Sequence, residues 1–420
     1  IGEFVFKMIR SCMISLFQEE IPASEKVKDL LTTLLYASFI IFSTDINGVY
    51  YMLILILIIY LIHFKSQGIS LAKHVGIFHK YMLGISMFSL ISVLWARNAD
   101  YAIEKGVTLF ELLIAFSLLY EAYSKVAIKR LLLIVMWSGF LLSIYTICFV
   151  GLGNLRETME EAGRMENSFA NVNVIGMCCS MSIFIASSFL QKRRNIVDIL
   201  LCFTCLIVVA ASGSRKALIM LVIGLLYITL FKPYRSKKKG FSKILTIFFS
   251  ICSLLIVIIL ISKFGFFEGT LDRMDGLIAS LTGKGEEDSS SMIRAYYRLL
   301  GFQQFYETPL LGIGMGNGRL LAFEYTGRDC YLHCNYAEIA ANGGMVGLLV
   351  VYWVYLKLLR SEISLLKTDP NAAMILLFII LNLILDYGKV SYYSKDTYFI
   401  LMICCLHIDS CKKSLYKKVC

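Results

Sequence analysis

The sequence predicts an all-α polytopic membrane protein. It is expected to have about twelve transmembrane helices, both termini in the cytoplasm, and one long extracytoplasmic loop carrying short amphipathic helices between spans nine and ten. Three observations lead there. Of 420 residues, 58% are hydrophobic and only 17% charged, with a mean hydropathy of +0.72, whereas a soluble domain carries about 25% charged residues. The apolar residues come in long runs rather than scattered through an amphipathic pattern. The four prolines, Pro22, Pro233, Pro309 and Pro370, fall between those runs, where a missing N–H breaks no buried helix. The same figures exclude a disordered chain, a coiled coil and a disulfide-stapled secreted module, and they oppose a β-barrel, whose short alternating segments are far less apolar.

The runs lie near residues 28–44, 49–64, 77–95, 103–123, 131–152, 172–190, 196–211, 217–231, 244–262, 344–359, 372–388 and 397–408. Met8 reads as the native start, so residues 1–7 are expected to be an artificial leader, and nothing there resembles a cleavable signal. With the N-terminus inside, the cytoplasmic segments hold 25 of the 41 Lys and Arg residues and the outer ones 15, seven of these in a single long loop. That bias orients the chain, because positive charge is retained on the cytoplasmic side during insertion. It also accounts for most of the net charge of +11 without nucleic-acid binding. The expected organisation is a cytoplasmic segment at 1–27, spans one to nine at 28–262, an extracytoplasmic loop at 263–343, spans ten to twelve at 344–408 and a basic cytoplasmic tail at 409–420.

Most of the 13 cysteines sit inside apolar runs, where they act as small apolar residues. Cys330 and Cys334 differ, flanking His333 in the outer loop, where a disulfide or a metal site is the minor alternative. No fourth zinc ligand suggests itself there.

The outer loop is the only one long enough for chemistry. Residues 290–306 read as a helix with an apolar repeat at Ala295, Leu299, Phe302 and Tyr306, placing Arg294 and Arg298 one turn apart on a neighbouring face. The glycine-rich turn 308–318 follows. It lacks a preceding strand and a Lys-Ser/Thr ending, so it is neither a dinucleotide fingerprint nor a phosphate-binding P-loop. A second amphipathic stretch, 333–342, leads through Gly343 and Gly344 into the tenth span. In the short outer turn 211–216, Arg215 lies at the membrane surface. There it either snorkels to cap a hairpin or, as a planar five-donor fork, clamps a phosphate.

Taken in order, Ser212-Gly-Ser-Arg215 after the seventh span, Arg294 fifteen residues ahead of Pro309-Leu-Leu-Gly-Ile-Gly, and His333 eleven residues ahead of Gly344-Met-Val-Gly347 resemble the O-antigen ligase and polymerase superfamily. The resemblance runs over roughly residues 86–400 and includes Leu94-Trp95-Ala96 and Phe169-Ala-Asn171-Val-Asn173. One departure is that the family usually has Asn directly after the histidine. Here Cys334 intervenes, and Asn335 is the nearest match.

The resemblance implies an inverting glycosyltransferase that needs no metal and no cofactor, with an undecaprenyl-diphosphate-linked oligosaccharide as donor and the bacterial plasma membrane as its site. It implies His333 as general base and Arg215 and Arg294 as the diphosphate clamp. Arg298, Asn335, Arg164 and Glu338 are candidate contacts to diphosphate or glycan. The competing reading of Arg164 is a charge in a solvated acidic loop, and the role of Glu338 is open, since an ideal helix turns it away from His333. The leading expectation is a polymerase of capsule, O-antigen or exopolysaccharide repeat units, on the likeness of Asp386-Tyr-Gly-Lys-Val-Ser-Tyr-Tyr-Ser-Lys395 to such polymerases. A ligase passing finished glycan to a lipid or protein acceptor is the alternative within the class, and a chain-length regulator is a candidate partner. A lipid-linked-sugar flippase is the alternative from another class. It calls for related halves and helices broken at mid-membrane, and neither is evident.

Overall fold

The computed structural model describes residues 21–42, 46–67, 75–160, 165, 170–190, 196–234 and 289–419. The ninth expected span, the loop residues 263–288, Arg164 and the presumed leader lie outside the described residues. In chain order the helices are α1 (Ala23–Ile41), α2 (Ile46–Gln67), α3 (Ile77–Ile91), α4 (Ala99–Tyr123), α5 (Ile128–Val150), α6 (Leu152–Glu160) and α7 (Val172–Leu190). They continue with α8 (Ile196–Ala211), α9 (Arg215–Tyr234), α10 (Ser289–Glu307), α11 (Gly318–Thr326), α12 (Asn335–Leu365), α13 (Ala372–Leu385) and α14 (Lys395–Val419). A 3-10 turn, Ser92–Leu94, prolongs α3. Among the described residues there is no strand, so the fold is all-helical as expected.

Each expected span inside the described residues falls on a helix. Among the described residues, four helical stretches are long and apolar enough to cross a membrane: Ile77–Leu94, Ile128–Val150, Val172–Phe189 and Asn335–Leu365. Tyr50–Ser66, Asp198–Ala211 and Ala372–Leu385 are shorter apolar helices.

The chain divides into two compact units, Ile1–Gln67 with Val126–Asp275, and Gly68–Lys125 with Gly276–Cys420. In the first unit α7 packs closely against its neighbours because small residues line it. A Cβ on Gly139 of α5 would strike Ser182, and one on Gly176 would lie 2.8 Å from the Ser212 hydroxyl. Ser180 donates to the Ala217 carbonyl of α9 at 2.8 Å, and the thiols of Cys179 and Cys205 both face the Gly139 carbonyl. Where lipid replaces water as the solvent, helices associate by such close contacts rather than by excluding water. At the start of α5, Arg130 reaches Asp29 (2.7 Å) and Glu25 (3.1 Å) of α1, and Lys28 pairs with Glu25 at 2.9 Å. With Lys28 and Asp29 at 0% exposure, this network ties the starts of α1 and α5 together.

In the second unit α3, α4 and α14 share an aromatic core. Phe78 stacks on Tyr120, Phe116 meets Tyr398, and the Tyr120 hydroxyl donates to Asp409. A Cβ at Gly106 would lie 2.5 Å from Leu90, which is how closely α3 and α4 approach.

Candidate functional site

The site is built on a break in α12. Gly344 has φ +58°, and its ideal Cβ would lie 2.5 Å from the carbonyl carbon and oxygen of Leu310, so only glycine fits there. A broken helix leaves backbone groups unbonded, which is costly at membrane depth. The glycine-rich turn supplies the missing partners. Ile313 N–H donates to Ala341 O (3.0 Å) and Gly314 N–H to Asn342 O (2.9 Å), while Met345 and Val346 donate back to Pro309 O and Leu310 O at 2.8 and 3.1 Å. The turn is also stitched to the end of α3. Trp95 Nε1 donates to Leu311 O at 3.0 Å, Arg97 N to Ile313 O at 3.0 Å, and Asn317 exchanges two hydrogen bonds with the Asn98 backbone. The Leu94-Trp95-Ala96, glycine-turn and Gly344 motifs are thus parts of one clamp.

Above it, α10 forms where the sequence places it, but with a different face turned inward. Leu299, Phe302 and Tyr306 of the expected apolar repeat are 60%, 42% and 81% exposed, while Tyr297 and Gln304 are buried. Gly301 allows the approach, since its Cβ would sit 2.9 Å from the Ala337 carbonyl. Periodicity identifies an apolar face without saying whether lipid or protein covers it.

His333 is the only non-glycine residue among the described ones with positive φ, +57°. Such strain persists only where surrounding contacts impose it, and it concentrates at functional sites. Its imidazole lies between Tyr331 (ring centroids 4.3 Å) and Tyr297 (6.0 Å), and Tyr297 is anchored by a 3.0 Å hydrogen bond to Thr326. Burial pushes the Tyr331 phenol up and the Arg294 guanidinium pulls it back, so Arg294 acts on the same tyrosine whose ring lies against His333. Beside them Tyr296 and Tyr325 stack at 4.6 Å, both largely exposed, as a flat aromatic platform.

Two buried polar hubs fix this turn. Glu338, 2% exposed, accepts the Leu332 N–H (2.8 Å) and the Asn342 side-chain amide (3.1 Å), and Asn342 in turn accepts the N–H of Gly318 at the start of α11. Glu338, whose role the sequence leaves open, thus holds the backbone just ahead of His333. The chain doubles back at His333, so Leu332 lies over the first turn of α12 and its amide falls within reach of the carboxylate.

Asn335, 1% exposed, is engaged on the side of α13 and the turn after it. Its amide nitrogen donates to Tyr352 (2.9 Å) and Asp386 (3.1 Å), and its oxygen accepts from the N–H groups of Ser391 and Tyr392. Asp386, one residue beyond α13, also accepts from the hydroxyls of Tyr352 and Ser391. Sequence reasoning did not single out Asp386 as a site residue. The available signal was a carboxylate closing an uncharged apolar run.

Arg298 rests over the Tyr387 ring at 4.7 Å. Arg319 is engaged by Asp329 and Glu104 and lies over Tyr101 at 4.3 Å. The thiols of Cys330 and Cys334 are not joined in a disulfide. Cys334 is buried, and Cys330 packs against the core of Tyr297, Ile313 and Leu321. Arg215 belongs to the first unit, where it is the first residue of α9, partly exposed and directly behind Ser214. Ser214 caps the helix by accepting the Ala217 N–H at 3.3 Å. Arg294, Arg298, His333, Asn335 and Glu338 all belong to the second unit.

Comparison with known proteins gives a match to the family model described as O-antigen ligase over residues 200–352. The matched stretch contains Arg215, Arg294, Arg298, His333, Asn335, Glu338 and Gly344, and it agrees with the superfamily resemblance of the sequence. No curated protein matches the chain.

Proposed function

We propose that the chain is a membrane-embedded glycosyltransferase that polymerises lipid-linked oligosaccharide repeat units, with undecaprenyl diphosphate as leaving group and the site facing away from the cytoplasm. The observation that carries the reading is His333, held in a left-handed turn against Tyr331 and Tyr297, with the Arg294 guanidinium acting on the Tyr331 phenol. In this reading His333 removes the proton of the acceptor hydroxyl as that oxygen attacks the anomeric carbon of the donor. The bond from that carbon to the diphosphate oxygen breaks, the anomeric configuration inverts, and the diphosphate departs with its negative charge. Guanidinium groups stabilise that charge, Arg294 in this unit and Arg215 by the family resemblance alone, so the leaving group needs neither a proton nor a metal ion. Arg298 and the exposed Tyr296–Tyr325 pair line the glycan path, where sugar faces stack on aromatic rings. Glu338 and Asn335, being fully engaged by protein, position His333 rather than touch substrate.

A ligase is the second reading, favoured by the description of the matched family model. One experiment separates the two. The purified chain is reconstituted with undecaprenyl-diphosphate repeat units of its host, and the products are resolved on a gel. A ladder of lengthening lipid-linked products lost in His333→Ala and Arg215→Ala supports the polymerase. A single transfer to an added lipid acceptor supports the ligase, and ladders from both variants remove these residues from the chemistry.

A further inference from the structure

Glu362 lies 24 residues after Glu338 in α12, roughly 35 Å of helix at 1.5 Å per residue. At that end α12, the turn before α13 and α14 bring together Glu362, Asp369, His407 and Cys411. His407 is 1% exposed and Glu362 0%. His407 Nδ1 lies 2.9 Å from Glu362 Oε1, and Nε2 lies 3.2 Å from Asp369 Oδ1. Cys411 Sγ stands 3.7 Å from both His407 Nε2 and Asp369 Oδ2. The other Glu362 oxygen, also buried, has no hydrogen-bond partner among the described residues.

A carboxylate at Nδ1 keeps a proton on that nitrogen and leaves the Nε2 lone pair pointing away. Here that lone pair points at a second carboxylate and a sulfur. Three donor atoms of a metal-ligating kind converge on one spot, where a shared cation would satisfy them together. A proton on Nε2 would satisfy the histidine and the two carboxylates while the Cys411 thiol donates to Asp369. A tetrahedral divalent ion would instead take the imidazole, the carboxylate and the sulfur together as ligands. With bonds of about 2.0–2.1 Å to nitrogen and oxygen and about 2.3 Å to sulfur, the edges of the tetrahedron are about 3.3 Å between N and O and about 3.6 Å from S to either. The His407 Nε2 spacings, 3.2 Å to Asp369 Oδ1 and 3.7 Å to Cys411 Sγ, match two of these edges, and the sulfur lies 3.7 Å from the other oxygen of the same carboxylate, Oδ2.

We propose that Asp369, His407 and Cys411 bind one zinc-class divalent cation, with Glu362 orienting the imidazole and water filling the fourth position. A mixed N, O and S donor set suits a borderline ion such as Zn2+ and disfavours Mg2+ or Ca2+. The ion braces α14 against α12 and the turn before α13. It takes no part in glycosyl transfer, so its test stands apart from the proposed activity.

The full chain, purified in detergent on a tag without histidines and stripped with a chelator, is equilibrated with Zn2+ or Co2+, desalted and measured for bound metal. One zinc per chain is expected. The cobalt form is expected to show the near-ultraviolet charge-transfer band of a thiolate ligand. Cys411→Ser should lose the band and the stoichiometric metal while eluting as the wild type does. Asp369→Asn, at the most exposed of the three ligands, should weaken binding in the same way if the serine variant fails to fold. Glu362→Gln should retain stoichiometry at about 10- to 100-fold lower affinity. A wild-type chain that keeps no zinc, or a Cys411→Ser chain that keeps as much zinc as the wild type, overturns the proposal.

Discussion

Replacing His333 by glycine separates what the residue does in chemistry from what it does to the fold. A side chain in the left-handed region costs roughly 1–2 kcal/mol, and His333 bears that cost at φ +57°. Its ring contacts with Tyr331 and Tyr297 return roughly 0.5–1.5 kcal/mol each. His333→Ala keeps the backbone cost and loses both contacts, so it should destabilise by about 1–3 kcal/mol. His333→Gly loses the same contacts but relieves the strain, less roughly 0.5–1 kcal/mol for glycine's extra freedom in the unfolded chain. It should therefore unfold at or slightly above the temperature of the alanine variant. Activity should follow a different order, because removing a general base costs about 10²–10⁴-fold whichever residue replaces it. Thermal unfolding in detergent and the product ladder, measured on the same preparations, give both values. A glycine variant that makes full-length ladders would refute the assignment of His333 as base and leave it as a turn-former only.

Gly344→Ala should fail to accumulate as folded protein, because its Cβ meets the Leu310 backbone, while Gly347→Ala, with neighbours no closer than 3.4 Å, should fold normally; size-exclusion profiles distinguish them. Arg294→Ala should lose about 10²–10³-fold in turnover, on the scale of removing one preorganised donor, and Arg294→Lys should recover only part, since an ammonium lacks the bidentate fork. Glu338→Ala should lower the unfolding midpoint by stranding the buried Leu332 amide, at a cost of about 1–3 kcal/mol.

The helices were legible because apolar runs of membrane length are a one-dimensional signal, and α10 was legible from its leading serines and helical spacing. The inward face of α10 was not, since Leu299 and Tyr306 look alike whether lipid or protein covers them. His333 and Arg294 stood out by residue type and by resemblance. The partners that hold the His333 turn depend on contacts between residues distant in sequence: Asn335 meets Asp386 across 51 positions, and Trp95 meets Leu311 across 216. The Asp369–His407–Cys411 cluster was hidden for the same reason, as its aspartate lies between helices and its other two members on α14.

The interlock between the glycine-rich turn and the broken helix also separates stretches of the chain that tolerate a change of length from those that do not. Between residues 309 and 317 added residues would pull apart the hydrogen bonds that join the turn to α12 and to the segment just after α3. Between Thr326 and Tyr331 the chain is mostly exposed, turns through Gly327 at φ +69°, and a Cβ there would meet nothing within 4 Å. Insertions at that bend would reshape the surface next to the Tyr296–Tyr325 platform while leaving the clamp untouched. One scaffold could in this way be fitted to glycans of different size by changing only the bend, with the turn that carries His333 still held from beneath by Glu338.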